Sequence, residues 1–366
     1  MSQDFIVWFD EYTDADRPRV GGKVASLGEM ISAGLPVPPG FGLTADAYGT
    51  LRENAQLRSE ARSVLAEVDY SRPEELALIS KRIRGLIEAE PIRPDIVEAI
   101  RSAYHRLCEE CGVEDVPVAV RSSATAEDLP DASFAGQQDT FLWVTGADDV
   151  IEHVSRCWSS LYSDRAIAYR HETGHDHEVI SMSVAIQKMV QPTAAGVAFT
   201  LNPVDGDRSQ VAIDSAFGFG EAVVSGEVTP DNYLVDKVLL EIVKRTISPK
   251  TIEYRLVDGV VESTEVEPER QTQPSLTDDE IKEVAVMAKR AERHYGTPQD
   301  IEWALDPHLP EGENVVLLQS RPETVWSRKP RKKIASGRGL LDDIVSTLTS
   351  PLHSRENSDT GEGGAM

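Results

Sequence analysis

Two short stretches near the end of the chain carry the residues best suited to chemistry. Asp300-Ile301-Glu302-Trp303-Ala304 is followed in the chain by Gln319-Ser320-Arg321-Pro322-Glu323-Thr324. Both read as strands, and with a side-chain period of two, Asp300 and Glu302 share one face, as do Gln319 and Arg321. If the strands pair, one surface offers carboxylates to a divalent metal and a guanidinium to a phosphate, which are the means of holding a magnesium nucleotide. A surface hairpin with a solvated ion pair would carry the same residues, so the remainder of the chain has to decide.

The formal net charge is -25. Such an acidic chain is a poor partner for a nucleic-acid backbone or an anionic membrane. It can hold a polyanion only where cations and backbone amides gather locally, so Lys and Arg residues beside glycines are the informative ones. Gly21-Gly22-Lys23 opens a helical pattern, and a helix N-terminus there would offer free amides, a favourable dipole and an ammonium. Val116-Pro117-Val118-Ala119-Val120 reads as a short apolar strand that ends by presenting Arg121. The loop Ser133-Phe134-Ala135-Gly136-Gln137-Gln138 has small residues and a glycine that would let backbone lie over phosphates, although many loops share that composition. Gly218-Phe219-Gly220-Glu221 is a second Gly-bearing segment directly after a strand. Gln187-Lys188-Met189-Val190 is either an ordinary core strand or a linker whose Gln187 amide and following backbone meet the edge of adenine, with Met189 against the ring.

These groups need elements to hold them. The apolar positions Val24, Leu27 and Ile31 follow helical spacing, and Gly34 with Pro36 ends that helix. Residues from about Thr44 to Cys108 read as mostly helical, and Asp148 to about Thr173 follows the same spacing. Strands are expected over 141–144, 182–190, 196–201, 210–217 and 232 to about 246, with hairpin-like segments from 251 to 266. Thr277 and Glu280 form a capping box at the head of a helix with Ile281, Val284, Ala288 and Ala291 on one face, ended by Gly296 and Pro298. The fold class is therefore α+β, with two lobes over 1–186 and 187–326 and a polar, largely disordered tail over 327–366.

In their order along the chain, these motifs resemble one family. Val20 to Glu29, Val120 to Ala124, Ser133 to Gln138, Gly218 to Glu221, Asp300 to Ala304 and Leu318 to Thr324 are similar to the nucleotide-binding domain of phosphoenolpyruvate synthase, also found in pyruvate phosphate dikinase and rifampicin phosphotransferase. The resemblance covers about residues 5–326 and implies an ATP-grasp-like fold that clamps ATP between two lobes. It implies that Lys23, Arg121 and Arg321 are the catalytic cations. It implies nucleotide contacts from Ser133, Gly136 and Gln137 of the lid, from Gln187, Met189 and Val190 of the linker, and from Glu302 and Gln319. It puts magnesium on Glu302 and Gln319 with Asp300 beside them.

The departure is informative too. Members of the family carry a swivelling domain with a phosphorylatable histidine in a Gly-Gly-x-Thr-Ser/Cys-His setting, and none of the eight histidines has it. His175-Asp176-His177 has the residue types of a metal site but follows a helix-ending Gly174 and reads as a solvated loop, and Cys108-x-x-Cys111 lacks a second half for zinc. The expectation is an ATP-binding subunit that passes the β-phosphoryl group to a histidine on a partner subunit, releasing AMP and phosphate. The arrangement is similar to phenylphosphate synthase, with a phenolic small-molecule acceptor. A split phosphoenolpyruvate synthase, an antibiotic phosphotransferase component and a non-catalytic nucleotide sensor are the alternatives. Three cysteines, no apparent signal peptide and no membrane-length apolar run point to a cytoplasmic protein without a nucleic-acid or membrane partner. Within the tail, Leu340, Leu341, Ile344 and Val345 could form a docking helix for that subunit, or a solvated linker.

Overall fold

The computed structural model describes residues 4–70, 72–124, 139–174, 181–310 and 312–326. In chain order the elements are β1 (Ile6–Trp8), α1 (Arg17–Ser32), β2 (Gly40–Leu43), α2 (Ala45–Arg52), α3 (Ala55–Ala66), α4 (Pro73–Ala89), α5 (Pro94–Cys111), β3 (Val118–Ala124), β4 (Thr140–Val144), α6 (Ala147–Ser159) and α7 (Asp164–Thr173). They continue with β5 (Met182–Lys188), β6 (Ala194–Phe199), β7 (Gln210–Phe217), α8 (Glu221–Val224), β8 (Asp231–Asp236), β9 (Ile242–Thr246), β10 (Ile252–Val257), β11 (Val260–Glu265), α9 (Asp278–Tyr295), β12 (Gln299–Leu305) and β13 (Val315–Pro322). The class is α+β, as expected. Among the described residues no helix is long and apolar enough to cross a membrane.

The strands form a five-stranded sheet in the order β1-β2-β5-β3-β4, a six-stranded sheet in the order β13-β12-β6-β7-β8-β9, and the β10-β11 hairpin. Every strand pairing is antiparallel. β1 and β2 are additions to the sequence reading. They are short, and the glycines of Gly40-Phe41-Gly42-Leu43 hide the usual β-branched signature. Gln187 belongs to β5, which pairs with both β2 and β3, so the strand runs one residue past Gln187 before the linker begins.

Two large apolar clusters support these sheets. One buries the helical region, including Ile83, Ile100, Leu107 and Trp158, against Val118, Val120, Val184 and Ile186 of the five-stranded sheet. The other joins α1 and α9 to the six-stranded sheet through Val24, Leu27, Ile281, Val284, Ile301 and Trp303. Burying each such aliphatic side chain contributes about 1.5–3 kcal/mol. Helix α1 packs on β3 and β5 of one sheet and on β13 of the other, so it is shared between them. The capping box at Thr277 is present, with the Glu280 carboxylate accepting from the Thr277 backbone N–H at 2.7 Å. At the far end of α9, Tyr295 reaches back to the Ser26 carbonyl of α1 at 3.4 Å, and burial pushes its phenol up to about 12.

A buried ion pair ties the segment between β9 and β10 to β8. Lys250 Nζ lies 2.7 Å from Asp231 Oδ1, and neither side chain is exposed. The other Asp231 oxygen accepts from the backbone N–H and hydroxyl of Ser275 at 2.8 and 2.7 Å. The carboxylate is therefore fully bonded, which is the condition for a buried charge to be tolerated.

Candidate functional site

Alternation on β12 sends Ile301, Trp303 and Leu305 into the core under α9 and leaves Asp300 and Glu302 on the opposite face. The pairing with β13 sets Asp300 opposite Arg321 and Glu302 opposite Gln319, the juxtaposition read from the sequence. Arg321 donates from Nε to Asp300 Oδ2 at 2.7 Å, with Nη2 2.6 Å from the same oxygen. Burial pushes the Asp300 carboxyl above the usual carboxylate range. Arg321 pulls it back, while Glu302 and Glu323 add to the rise.

Immediately after Glu302 the β12–β13 register slips. Glu302 pairs with Gln319 but Trp303 pairs with Leu317, so Leu318 has no partner across the strand. Such a bulge frees backbone groups that a regular ladder would consume. The Leu318 carbonyl accepts instead from Arg121 Nη1 at 3.1 Å, and Arg121 Nη2 donates to Glu302 Oε2 at 3.1 Å. Arg121 thus leaves β3 of the five-stranded sheet and seats its guanidinium on the six-stranded one.

The next residues of β3 hold Lys23. Its Nζ donates to the Ser122 carbonyl at 2.8 Å, and its backbone N–H donates to Ser123 Oγ at 3.2 Å. Ser123 Oγ is also 3.1 Å from the Val20 carbonyl, so it bridges the break in α1 at Gly21. That break has φ 63°, ψ 175°, a conformation glycine adopts without a Cβ penalty. Beyond the Gly21 break the expected helix does begin at Gly22-Lys23, but the expected free amide at Lys23 is corrected here. The helical run begins at Arg17 and kinks at Gly21, and the amide of Lys23 is occupied by Ser123.

The linker lies on the same side as Glu302. Val190 packs with Ala195, Ala304 and Val316, and Leu318 packs against them, giving a small apolar floor next to the polar row of β12 and β13. The Met189 backbone N–H donates to the Pro117 carbonyl at 2.8 Å. Gln187 is buried, and its Nε2 donates to the Pro38 carbonyl at 3.3 Å. The register sets Gln187 opposite Ala119, on the face that Ala185 and Arg121 share, while Val184 and Ile186 turn to the helical core, and the Pro38 contact takes up the amide expected at an adenine edge. Ser133, Gly136 and Gln137 of the expected lid lie outside the described residues, as do His175, His177 and residues 327–366.

Glu221, at the start of α8, ends the motif Gly218-Phe219-Gly220-Glu221, whose spacing alone assigns it no role. Partial withdrawal from water pushes its carboxyl above the ordinary range. Arg121 opposes that rise, and the Glu302 and Glu227 carboxylates add to it. Glu221 and Glu302 therefore share one electrostatic neighbourhood with Arg121. Among the described residues no three His, Cys, Asp or Glu side chains converge as a ready-made metal site. Glu302, with the side-chain oxygen of Gln319 opposite and Glu221 repelling it, offers oxygen donors and excess negative charge of the kind a hard divalent cation relieves.

Comparison with known proteins places the sequence among phosphoenolpyruvate synthase relatives. The chain is 45% identical over 345 residues to a "Probable phosphoenolpyruvate synthase" of Methanocaldococcus jannaschii, covering 94% of this chain and 29% of that protein. It is 43% identical to the phosphoenolpyruvate synthases of Aeropyrum pernix, over 90% of this chain and 43% of theirs, and of Pyrococcus furiosus, over 88% and 44%. The chain thus spans less than half the length of these relatives. Residues 17–339, which include the Lys23 kink, the Arg121 strand and the β12–β13 pair, match the model of the pyruvate phosphate dikinase AMP/ATP-binding domain. By that match and those relatives, the chain belongs to the pyruvate phosphate dikinase AMP/ATP-binding domain family.

Proposed function

We propose that this chain is the nucleotide-binding part of a phosphoenolpyruvate synthase-type dikinase. It binds ATP between the two sheets, in the manner of an ATP-grasp-like two-lobed fold, and transfers the β-phosphoryl group to a histidine outside this chain. The observation that carries this reading is Arg121 reaching from β3 to Glu302 and the Leu318 carbonyl, which gathers a cation from one sheet and a carboxylate from the other at one place.

In this reading the apolar floor of Val190, Ala304 and Val316 lies under the base, with the backbone after Gln187 at its edge. Lys23, Arg121 and Arg321 offset the charge of the triphosphate and of the transition state. Glu302 and Gln319 would hold magnesium, with Asp300 and Glu221 close by, and the ion would neutralise phosphate charge during transfer. Arg121 then exchanges Glu302 for phosphate oxygens, which needs no rearrangement of β3.

A phenolic acceptor finds no support among relatives named phosphoenolpyruvate synthase. Pyruvate, carried to its enol phosphate through the phosphohistidine, takes its place. The test is to mix the purified chain with Mg-ATP labelled at the β-phosphate and with the remainder of the Methanocaldococcus jannaschii relative, made without its matched portion. Label on a histidine of that partner, AMP release and phosphoenolpyruvate formation from pyruvate are expected. Rapid AMP formation by the chain alone, or no transfer to the partner despite tight ATP binding, would overturn the proposal.

A further inference from the structure

Among the described non-glycine residues, Trp143 is a bulky aromatic held at φ 60°. The left-handed region costs such a residue on the order of 1–3 kcal/mol and persists only where the surroundings enforce it. The cause here is a slip in register. Val120 pairs with Phe141 and Val118 with Val144, so Leu142 and Trp143 together oppose Ala119. The extra residue makes a bulge on β4, the edge strand of the five-stranded sheet, at a position where glycine is the usual choice. Bulges at such places re-aim side chains.

The indole is re-aimed at Phe219. The two ring centroids are 6.1 Å apart at an interplanar angle of 83°, an edge-to-face contact. Phe219 stands between Gly218 and Gly220, so its ring is the one side chain by which the backbone just before Glu221 can be gripped. The segment is gripped from a second side by backbone alone. Phe219 N–H donates to the Tyr254 carbonyl at 3.0 Å, and a Cβ on Gly218 would stand 2.2 Å from that same oxygen. Glu221 follows directly, beside Arg121 and Glu302.

We propose that Trp143 is a positioning residue, which holds the Gly218–Glu221 segment, and through it the Glu221 carboxylate, in register with the nucleotide site across the two sheets. This deepens the nucleotide-binding reading above and rests on it for its ligand. Ordinary packing would be served as well by a residue without backbone strain, and it is the strain together with the aim of the ring that points to positioning.

The test compares Trp143→Gly, Trp143→Phe, Phe219→Leu and the double Trp143→Gly/Phe219→Leu variant in the full chain. Trp143→Gly relieves the backbone and removes the ring. It should keep or raise Tm, speed amide exchange across residues 218–226, and weaken Mg-ATP binding roughly two- to tenfold. Trp143→Phe should retain slow exchange and near-native affinity. Adding Phe219→Leu to Trp143→Gly should change affinity little further, because the shared contact is already gone. Unchanged exchange over 218–226 in Trp143→Gly, with or without a loss of Tm, would make Trp143 ordinary packing and overturn the inference. A wild-type chain that binds no Mg-ATP would count against the proposed function, while the exchange comparison would still decide whether Trp143 positions the segment.

Discussion

Arg121 and Glu302 are 181 residues apart in the chain and meet at 3.1 Å, one from each sheet, with side chains only 15% and 26% exposed. The contact is half-buried and the Leu318 carbonyl takes the other guanidinium nitrogen, so the ion pair is held by geometry and not by charge alone. On the proposed function, an arginine so held is preorganised for an incoming phosphate, and reorganisation at the moment of reaction is what preorganised sites avoid.

Glu302→Gln is expected to keep the fold, since the residue lies on the open face of β12 and its neighbours Ile301 and Trp303 carry the packing. If the proposed function holds, phosphoryl transfer to the acceptor histidine should fall by about 10²–10³-fold, the usual loss for one electrostatic stabiliser. Quenched-flow measurement of AMP formation, alongside a melting curve, checks this. Near-native transfer at unchanged Tm would remove Glu302 from the site.

Lys23→Ala should act chiefly on affinity. Its ammonium is presented from the Gly21 kink and steadied by the Ser122 carbonyl. Losing a charged hydrogen-bonding group of this kind corresponds to an increase in the Mg-ATP Kd of about ten- to a hundredfold. Titration calorimetry reads it directly, and a Kd equal to that of the wild type would show that Lys23 serves only to brace β3.

Arg321→Ala should destabilise the chain in a pH-dependent way. Burial already raises the folded-state pKa of Asp300, and Arg321 is the group that lowers it, so the variant raises it further. A carboxyl with a raised folded-state pKa favours folding while protonated. That contribution is lost as pH climbs through the folded value. The stability deficit of Arg321→Ala relative to wild type should therefore be small near about pH 4 and larger by about pH 7. Melting curves at the two pH values are sufficient, and equal deficits at both would show that Asp300 does not depend on Arg321.

Lys250→Met should be among the most damaging substitutions distant from the site. It leaves the Asp231 carboxylate buried without its cation, although Ser248, Ser275 and Tyr233 still donate to it. Removing one partner of a buried pair costs about 3–5 kcal/mol. Denaturant unfolding measures the loss, and a cost within the range of a surface substitution would mean that the pair is dispensable.

The sequence by itself determined the parts whose causes are local. Strand alternation put Asp300 and Glu302 on one face of β12 and Ile301 and Trp303 on the other. The Thr277–Glu280 capping box and Gly296 bounded α9 because a cap needs only the residues within one turn. The motifs from Gly21 to Lys23, at Arg121 and from Gly218 to Glu221 were legible as places where chemistry could gather, and the family followed from their order. Tertiary structure alone decided how they meet. The strand character of Gly40–Leu43 came from pairing with β5, since its glycines carry little strand preference of their own. The kink of α1 is braced by Ser123, 100 residues from Lys23, and the Gln187 amide is taken up by the Pro38 carbonyl, 149 residues away. The bulges that free the Leu318 carbonyl and turn Trp143 towards Phe219 depend on a one-residue slip between strands. Periodicity reports which way a side chain points from its own strand, whereas register and bulges are settled by the partner strand, which sequence spacing does not encode.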